Sequence, residues 1–240
     1  MLHKTRGIVL KSTNYSDSSV VVQIFTEKFG LQSFIVNGAR RPKAKIGATI
    51  LQPLHLLDMV VYHRETTGLQ RIAEARQLPV FQTIPYDAMK RAVVLFLNEV
   101  LYKSLRQQSA DETLFNFLFH SISWLDSSER MPPDFHLFFL LKLSRFLGFG
   151  PEAPKKHWPF FDLKDGIFCP QLPHHALVLQ NPHVSQLAEL LSCSFENLSR
   201  LKIPLNDRRF LLVKLVDFYR LHIDNMGEIR SHEVLQTLMD

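Results

Sequence analysis

Cysteine is nearly absent from this 240-residue chain, and Cys169 and Cys193 are too few for a disulfide scaffold or a four-cysteine zinc site. Long apolar runs are missing too. The longest stretch without a charged side chain, Gly166 to Ala188, is broken by three Pro and three His. The greasiest run, Phe135 to Leu141, is far shorter than the roughly 20 residues a spanning helix needs. Met1-Leu2-His3-Lys4-Thr5-Arg6 has no apolar segment behind its charges, so no secretory signal is expected and the chain reads as soluble and cytoplasmic. Hydrolase, nucleotide-loop and zinc-protease signatures (G-x-S-x-G, G-x-x-x-x-G-K-[ST], H-E-x-x-H) are also missing, as is a Rossmann glycine run. Asp162, Asp165 and Asp207 are isolated acids near turns and helix starts, where capping accounts for them. The sequence therefore offers no catalytic constellation, and a non-enzymatic role is expected.

What is present is unevenly placed. Hydrophobic residues make up 46% of the chain, ample for a folded core. The net charge is +5, yet residues 1–80 hold 11 Lys and Arg against 5 Asp and Glu, while the remainder is close to balanced. One segment thus carries the whole basic excess, which suits a polyanion partner; a solvated basic face gives the same count. Of 19 Phe, 13 fall between Phe81 and Phe168, marking a heavily packed core in a different part of the chain. The two skews imply at least two domains, 1–80 and 81–240.

Residues 1–80 read as short strands: Gly7 to Lys11, Val20 to Thr26, Leu31 to Val36, Leu54 to Tyr62, and Leu69 to Ala75 after the turn Thr66-Thr67-Gly68. Five short strands with one longer interruption after the third suit a small closed barrel such as an OB-fold, and a small open sheet fits the same pattern. From Pro85, placed for a first helical turn, Met89, Ala92, Val93, Phe96, Leu97, Val100 and Leu101 recur at helical spacing. Ser109-Ala110-Asp111-Glu112 has the form of a capping box before a second helix. Pro132-Pro133-Asp134 opens a third, ending near Gly148 and Gly150. A Pro- and His-rich connector spans 151–181, with a short hairpin at Asp165-Gly166. Helical patterning resumes over Val184 to Leu191 and from Asn206 to Tyr219. The fold class expected is α+β, a small β-barrel followed by a mainly α-helical region.

The sharpest feature is Gly38-Ala39-Arg40-Arg41-Pro42-Lys43-Ala44-Lys45, with four cations in six residues and no acid anywhere between Glu27 and Asp58. Such a loop neutralises several phosphates without reading sequence. Lys4, Arg6 and Lys11 extend the patch if the first strand lies alongside. Tyr15 and Phe34 are candidate stacking surfaces, with packing in a turn or core as the plainer role.

At this loop the chain resembles the RecO family of bacterial DNA repair proteins. The resemblance is carried by Gly7 to Lys11, Tyr15-Ser16-Asp17-Ser18, Phe25 to Gly30 and Gly38 to Lys43, then Leu51-Gln52-Pro53-Leu54 and Arg145 to Pro151. It implies an N-terminal OB-fold, a helical C-terminal region, binding of single- and double-stranded DNA, and strand annealing. It also implies partnership with RecR and with the acidic, Phe-ending tail of single-stranded DNA-binding protein, helping to load RecA. Carried over, Arg40, Arg41, Lys43 and Lys45 take the DNA-contacting role, with Arg6 and Lys11 beside them. Lys142 and Arg145, next to Phe138, Leu141 and Phe146, are candidates for an apolar notch edged by cations. Many relatives carry a four-cysteine zinc site after the helical core. Here that stretch keeps only Cys169, with His157, His174 and His175 nearby, and no metal or other cofactor is expected. An OB-fold module for structured RNA is the alternative reading, and a hydrolase or transferase with an unrecognised site is a third.

Overall fold

In the computed structural model, residues 1–64, 67–106, 109–154 and 156–239 are described. Thr66 of the turn expected before the fifth strand, and Lys155 of the connector, lie outside them. The chain divides into two compact units, Met1–Glu129 and Arg130–Asp240.

The first unit is built on a closed five-stranded barrel. Its strands are β1 (Leu2–Asn14), β2 (Val20–Thr26), β3 (Gly30–Val36), β4 (Leu56–Tyr62) and β5 (Leu69–Gln77). They close in the order β1-β2-β3-β5-β4, with β3 and β5 parallel and the other pairs antiparallel. The first strand is longer than its β-branched run suggests because its two halves serve different neighbours. Residues 2–8 pair with β4 and 7–14 with β2, and a bulge between Val9 and Lys11 bends the strand round the barrel. Val22, Ile24, Phe34, Leu57, Met59 and Val61 fill the interior. Phe34 is therefore core and not a stacking surface.

Two helices belong to the same unit, α1 (Ala88–Ser104) and α2 (Glu112–Ser127). Pro85 does not open α1; it lies in the preceding turn, and the Asp87 carboxylate caps the helix by accepting the Lys90 amide at 3.0 Å. Nor does Ser109 cap α2. Asp111 does so, accepting from Leu114 N–H at 2.9 Å, which leaves Glu112 at the first helical position, out of reach for a capping box.

A buried polar knot ties the β5–α1 linker to the end of α2. Asp126 accepts the backbone N–H groups of Gln82, Thr83 and Ile84 at 2.8–2.9 Å. Burial alone raises its pKa, but those three donors outweigh burial and hold it below the usual carboxylate value. The Lys90 ammonium, 1% exposed, donates to Thr83 Oγ1 and to the carbonyls of Asp126 and Ser128.

The second unit contains α3 (Phe135–Phe146), a three-stranded sheet of β6 (Phe160–Asp162), β7 (Ile167–Cys169) and β8 (Val178–Gln180), then α4 (His183–Ser192), α5 (Leu205–His222) and α6 (Ser231–Leu238). The expected hairpin at Asp165-Gly166 is β6–β7, with β8 added on the other side of β6. α3 ends in a Schellman motif: Phe149 N–H donates to Ser144 O, Gly148 N–H to Arg145 O, and Gly148 takes φ +87°. The Phe-rich stretch is thus shared by two cores, with Phe96 and Phe115 in the first unit and Phe135, Phe138, Phe139 and Phe161 in the second. Among the described residues, no helix is long and apolar enough to cross a membrane.

Candidate nucleic-acid interface

The basic loop leaves β3 at Val36 and is pinned at both ends by side chains that reach into the barrel core, Ala39 (3% exposed) and Ile46 (7%). Between these anchors the backbone folds on itself. Arg41 N–H donates to Gly38 O and Ala44 N–H to Arg41 O, with Gly38 and Lys43 both in the left-handed region at φ +70° and +61°. Arg40 N–H donates to Ser18 O at 3.0 Å, tying the loop to the β1–β2 turn that carries the exposed Tyr15. A short 3-10 turn at Ala48–Leu51 follows, its Leu51 closing over the barrel interior. Arg40, Arg41, Lys43 and Lys45 are all exposed. Among the described residues only Lys45 has a carboxylate partner, Glu74 at 3.5 Å. The loop thus concentrates positive charge on a fixed base, with three of its four cations lacking a carboxylate partner among the described residues, an arrangement suited to a phosphate backbone.

The other expected cations go elsewhere. Arg6 forks onto Glu27 (2.6 and 3.0 Å), donates to Asn116 Oδ1 at 2.7 Å, and lies over the rings of Phe115 and Phe119 at 5.1 and 4.9 Å. Its hydrogen bond holds the Glu27 carboxyl below the ordinary value. This cation packs α2 onto the barrel. Lys11 likewise meets Tyr102 on α1, with its ammonium 3.0 Å from the hydroxyl and 4.8 Å from the ring centroid. Lys4 pairs with Asp58 at 3.7 Å.

In the second unit, Lys142, Arg145 and Phe146 line an open cleft of about 310 Å³. Lys142 donates to Leu191 O at 3.3 Å and lies 5.2 Å from the Phe138 ring, while burial and then Arg145 lower its pKa. Phe138 and Leu141 are buried beneath. The cationic edge and Phe146 share one opening; Phe138 supports it from below. In the connector, His175 Nε2 is 3.1 Å from Asp162 Oδ2, and Cys169 faces Phe160 across the sheet. Among the described residues, no three His, Cys, Asp or Glu side chains gather as a metal site.

Comparison with known proteins accords with this arrangement. The family description "Recombination protein O N terminal" matches residues 1–81, and "Recombination protein O C terminal" matches 85–230. The chain belongs to the RecO family. It is 36% identical over 239 residues to the DNA repair protein RecO of Phocaeicola vulgatus, covering 99% of both chains. It is also 36% identical over 242 residues to that of Bacteroides fragilis, covering all of both, and 33% identical to that of Flavobacterium johnsoniae over 98% of each. The strand order above is that of an OB-fold, as expected for the N-terminal part of a RecO protein. Membership assigns the chain to DNA repair and recombination.

Proposed function

We propose that this chain is a recombination mediator that catalyses no covalent step: it binds single- and double-stranded DNA, anneals complementary strands, and helps load RecA onto DNA coated by single-stranded DNA-binding protein. The reading rests on one observation, the four exposed cations of the 38–45 loop, held by Ala39 and Ile46 and neutralised among the described residues only by Glu74. Cations fixed on a rigid base offset the repulsion between two approaching phosphate backbones, the main electrostatic obstacle to pairing. The cleft at Lys142, Arg145 and Phe146 fits an acidic peptide ending in Phe, the carboxylates meeting the cations and the ring meeting Phe146. RecR is the second protein partner in this scheme.

The test is annealing of complementary oligonucleotides coated with the cognate single-stranded DNA-binding protein. Native protein should accelerate it. A variant with Arg40, Arg41, Lys43 and Lys45 all changed to Ala should not, and Arg145→Ala should lose acceleration only when the coating protein is present. Equal acceleration by the four-Ala variant removes the loop from the mechanism. Tighter binding to a structured RNA than to matched DNA turns the reading toward an RNA-binding module.

A further inference from the structure

The outer face of β1, β4 and β5 is built in three tiers by the strand register. Arg6 faces Asp58, which faces Arg76; Lys4 faces Val60, which faces Glu74; Leu2 faces Tyr62, which faces Arg71. Every charged side chain of the first two tiers has an opposite-charge partner. Asp58 pairs with Arg76 at 2.9 Å and with Lys4 at 3.7 Å, Arg6 pairs with Glu27, and Glu74 pairs with Lys45. The third tier is different. Tyr62 is 48% exposed, and Arg71 and its neighbour Arg64 are exposed with no carboxylate partner among the described residues.

This tier is also constructed. Gln70, only 4% exposed, donates through Nε2 to the carbonyls of Arg64 and Thr67 at 2.7 and 2.6 Å, and its Oε1 accepts the Arg64 N–H at 3.0 Å. His63 N–H donates to Met1 O, closing the other side. The result is a cleft of about 540 Å³ lined by Tyr62, Arg64, Leu69 and Arg71, with Gln70 at its base. Leu69 adds a second apolar surface, 41% exposed. An exposed aromatic ring that shares a cleft with two guanidinium groups, neither with a carboxylate partner among the described residues, is a pattern on which an unpaired base stacks while its phosphates are neutralised.

The geometry points to Tyr62, Arg64 and Arg71 as a stacking subsite for single-stranded DNA, separate from the basic loop. It rests on the DNA-binding reading above and gives it a preference that the loop alone lacks. A loop of cations grips any phosphate backbone, whereas a ring accepts a base only when that base is unpaired. The two sites suit one strand, since Arg71 precedes Glu74 by three residues of β5, roughly 10 Å of strand, and Glu74 touches Lys45 of the loop.

The experiment is fluorescence anisotropy with a labelled single strand, the matching duplex and an RNA strand of the same sequence. Tyr62→Ala is expected to weaken single-strand binding by about tenfold and to leave duplex binding unchanged, since stacking contributes per unpaired base. Tyr62→Phe should restore it, and Arg64→Ala or Arg71→Ala should each lower the salt slope on single strands by about 0.7. Unchanged single-strand affinity in Tyr62→Ala, with affinity lost in the four-Ala loop variant, overturns this subsite and leaves DNA binding standing. Equal losses on single strand and duplex, or tighter binding to the RNA strand, also overturn it. If the native protein binds neither DNA form, the DNA-binding reading fails and the subsite with it. The ring lies on the barrel's outer face, so a circular dichroism spectrum unchanged by Tyr62→Ala separates lost stacking from lost folding.

Discussion

Changing Arg40, Arg41, Lys43 and Lys45 together to Ala should flatten the salt dependence of DNA binding by a predictable amount. Three of these cations have no carboxylate partner among the described residues, and Lys45 shares its charge with Glu74 at 3.5 Å, so the loop offers three to four full phosphate contacts. Each contact contributes about 0.7 to the slope of log affinity against log salt on single strands and about 0.9 on duplex. The variant's slope should therefore be shallower by about 2 to 3 on single strands and about 3 to 4 on duplex. Between 50 and 200 mM salt, the native protein's advantage over the variant should shrink by about 20- to 50-fold on single strands and about 40- to 150-fold on duplex. The assay is anisotropy of a labelled oligonucleotide across a salt series. All four side chains are exposed, so the variant should melt within about 0.5 kcal/mol of the native protein. Parallel slopes would refute the reasoning, because charge neutralisation by this loop cannot vanish without changing the slope.

Three further outcomes concern stability. Asp126→Ala leaves the amides of Gln82, Thr83 and Ile84 without their charged acceptor and should cost about 3–5 kcal/mol in urea unfolding; a loss under about 1 kcal/mol would show that water replaces the carboxylate. His136 is fully buried, neither ring nitrogen has a hydrogen-bond partner among the described residues, and burial, with Arg208 adding to it, depresses its pKa to about 3. A depressed folded pKa means stability is intact above the unfolded value and falls as pH drops from 6.5 toward 3, by about 2 kcal/mol at pH 5. His136→Leu should remove that pH dependence; identical native and variant profiles between pH 7.5 and 5 would rule it out. Gly150→Ala would set its Cβ 2.5 Å from the Arg145 amide nitrogen, disturbing the end of α3 at about 1–3 kcal/mol. Unchanged thermal unfolding in that variant would mean the loop shifts freely.

Local signals in the sequence were reliable where the physics is local. The runs Val20 to Thr26 and Leu31 to Val36 became strands within one residue, and the loop cations stayed together because Ala39 and Ile46 hold their flanks. Lys4-Thr5-Arg6 became strand only because β4, more than fifty residues on, supplies its pairing partner. Arg6 extends the basic patch only if the first strand lies alongside the loop, and its partners Glu27 and Asn116 lie 21 and 110 residues away, beyond any local pattern. Phe138 has the helical spacing of a notch residue and is buried, because α3 is apolar on nearly every side. Tyr62 and Arg71 face each other through strand register, which no reading of either strand alone supplies.

The grip of Arg6 on α2 has a consequence for exchanging parts between relatives. The two family matches meet at residues 81 to 85, an inviting point at which to splice one barrel onto another's helices. A splice there would leave Arg6, Phe25 and Lys11 of the barrel facing a foreign helix in place of Phe115, Asn116, Phe119 and Tyr102. Barrel, α1 and α2 should instead travel as a cassette ending near Glu129, with the crossover placed where the chain passes to its second unit.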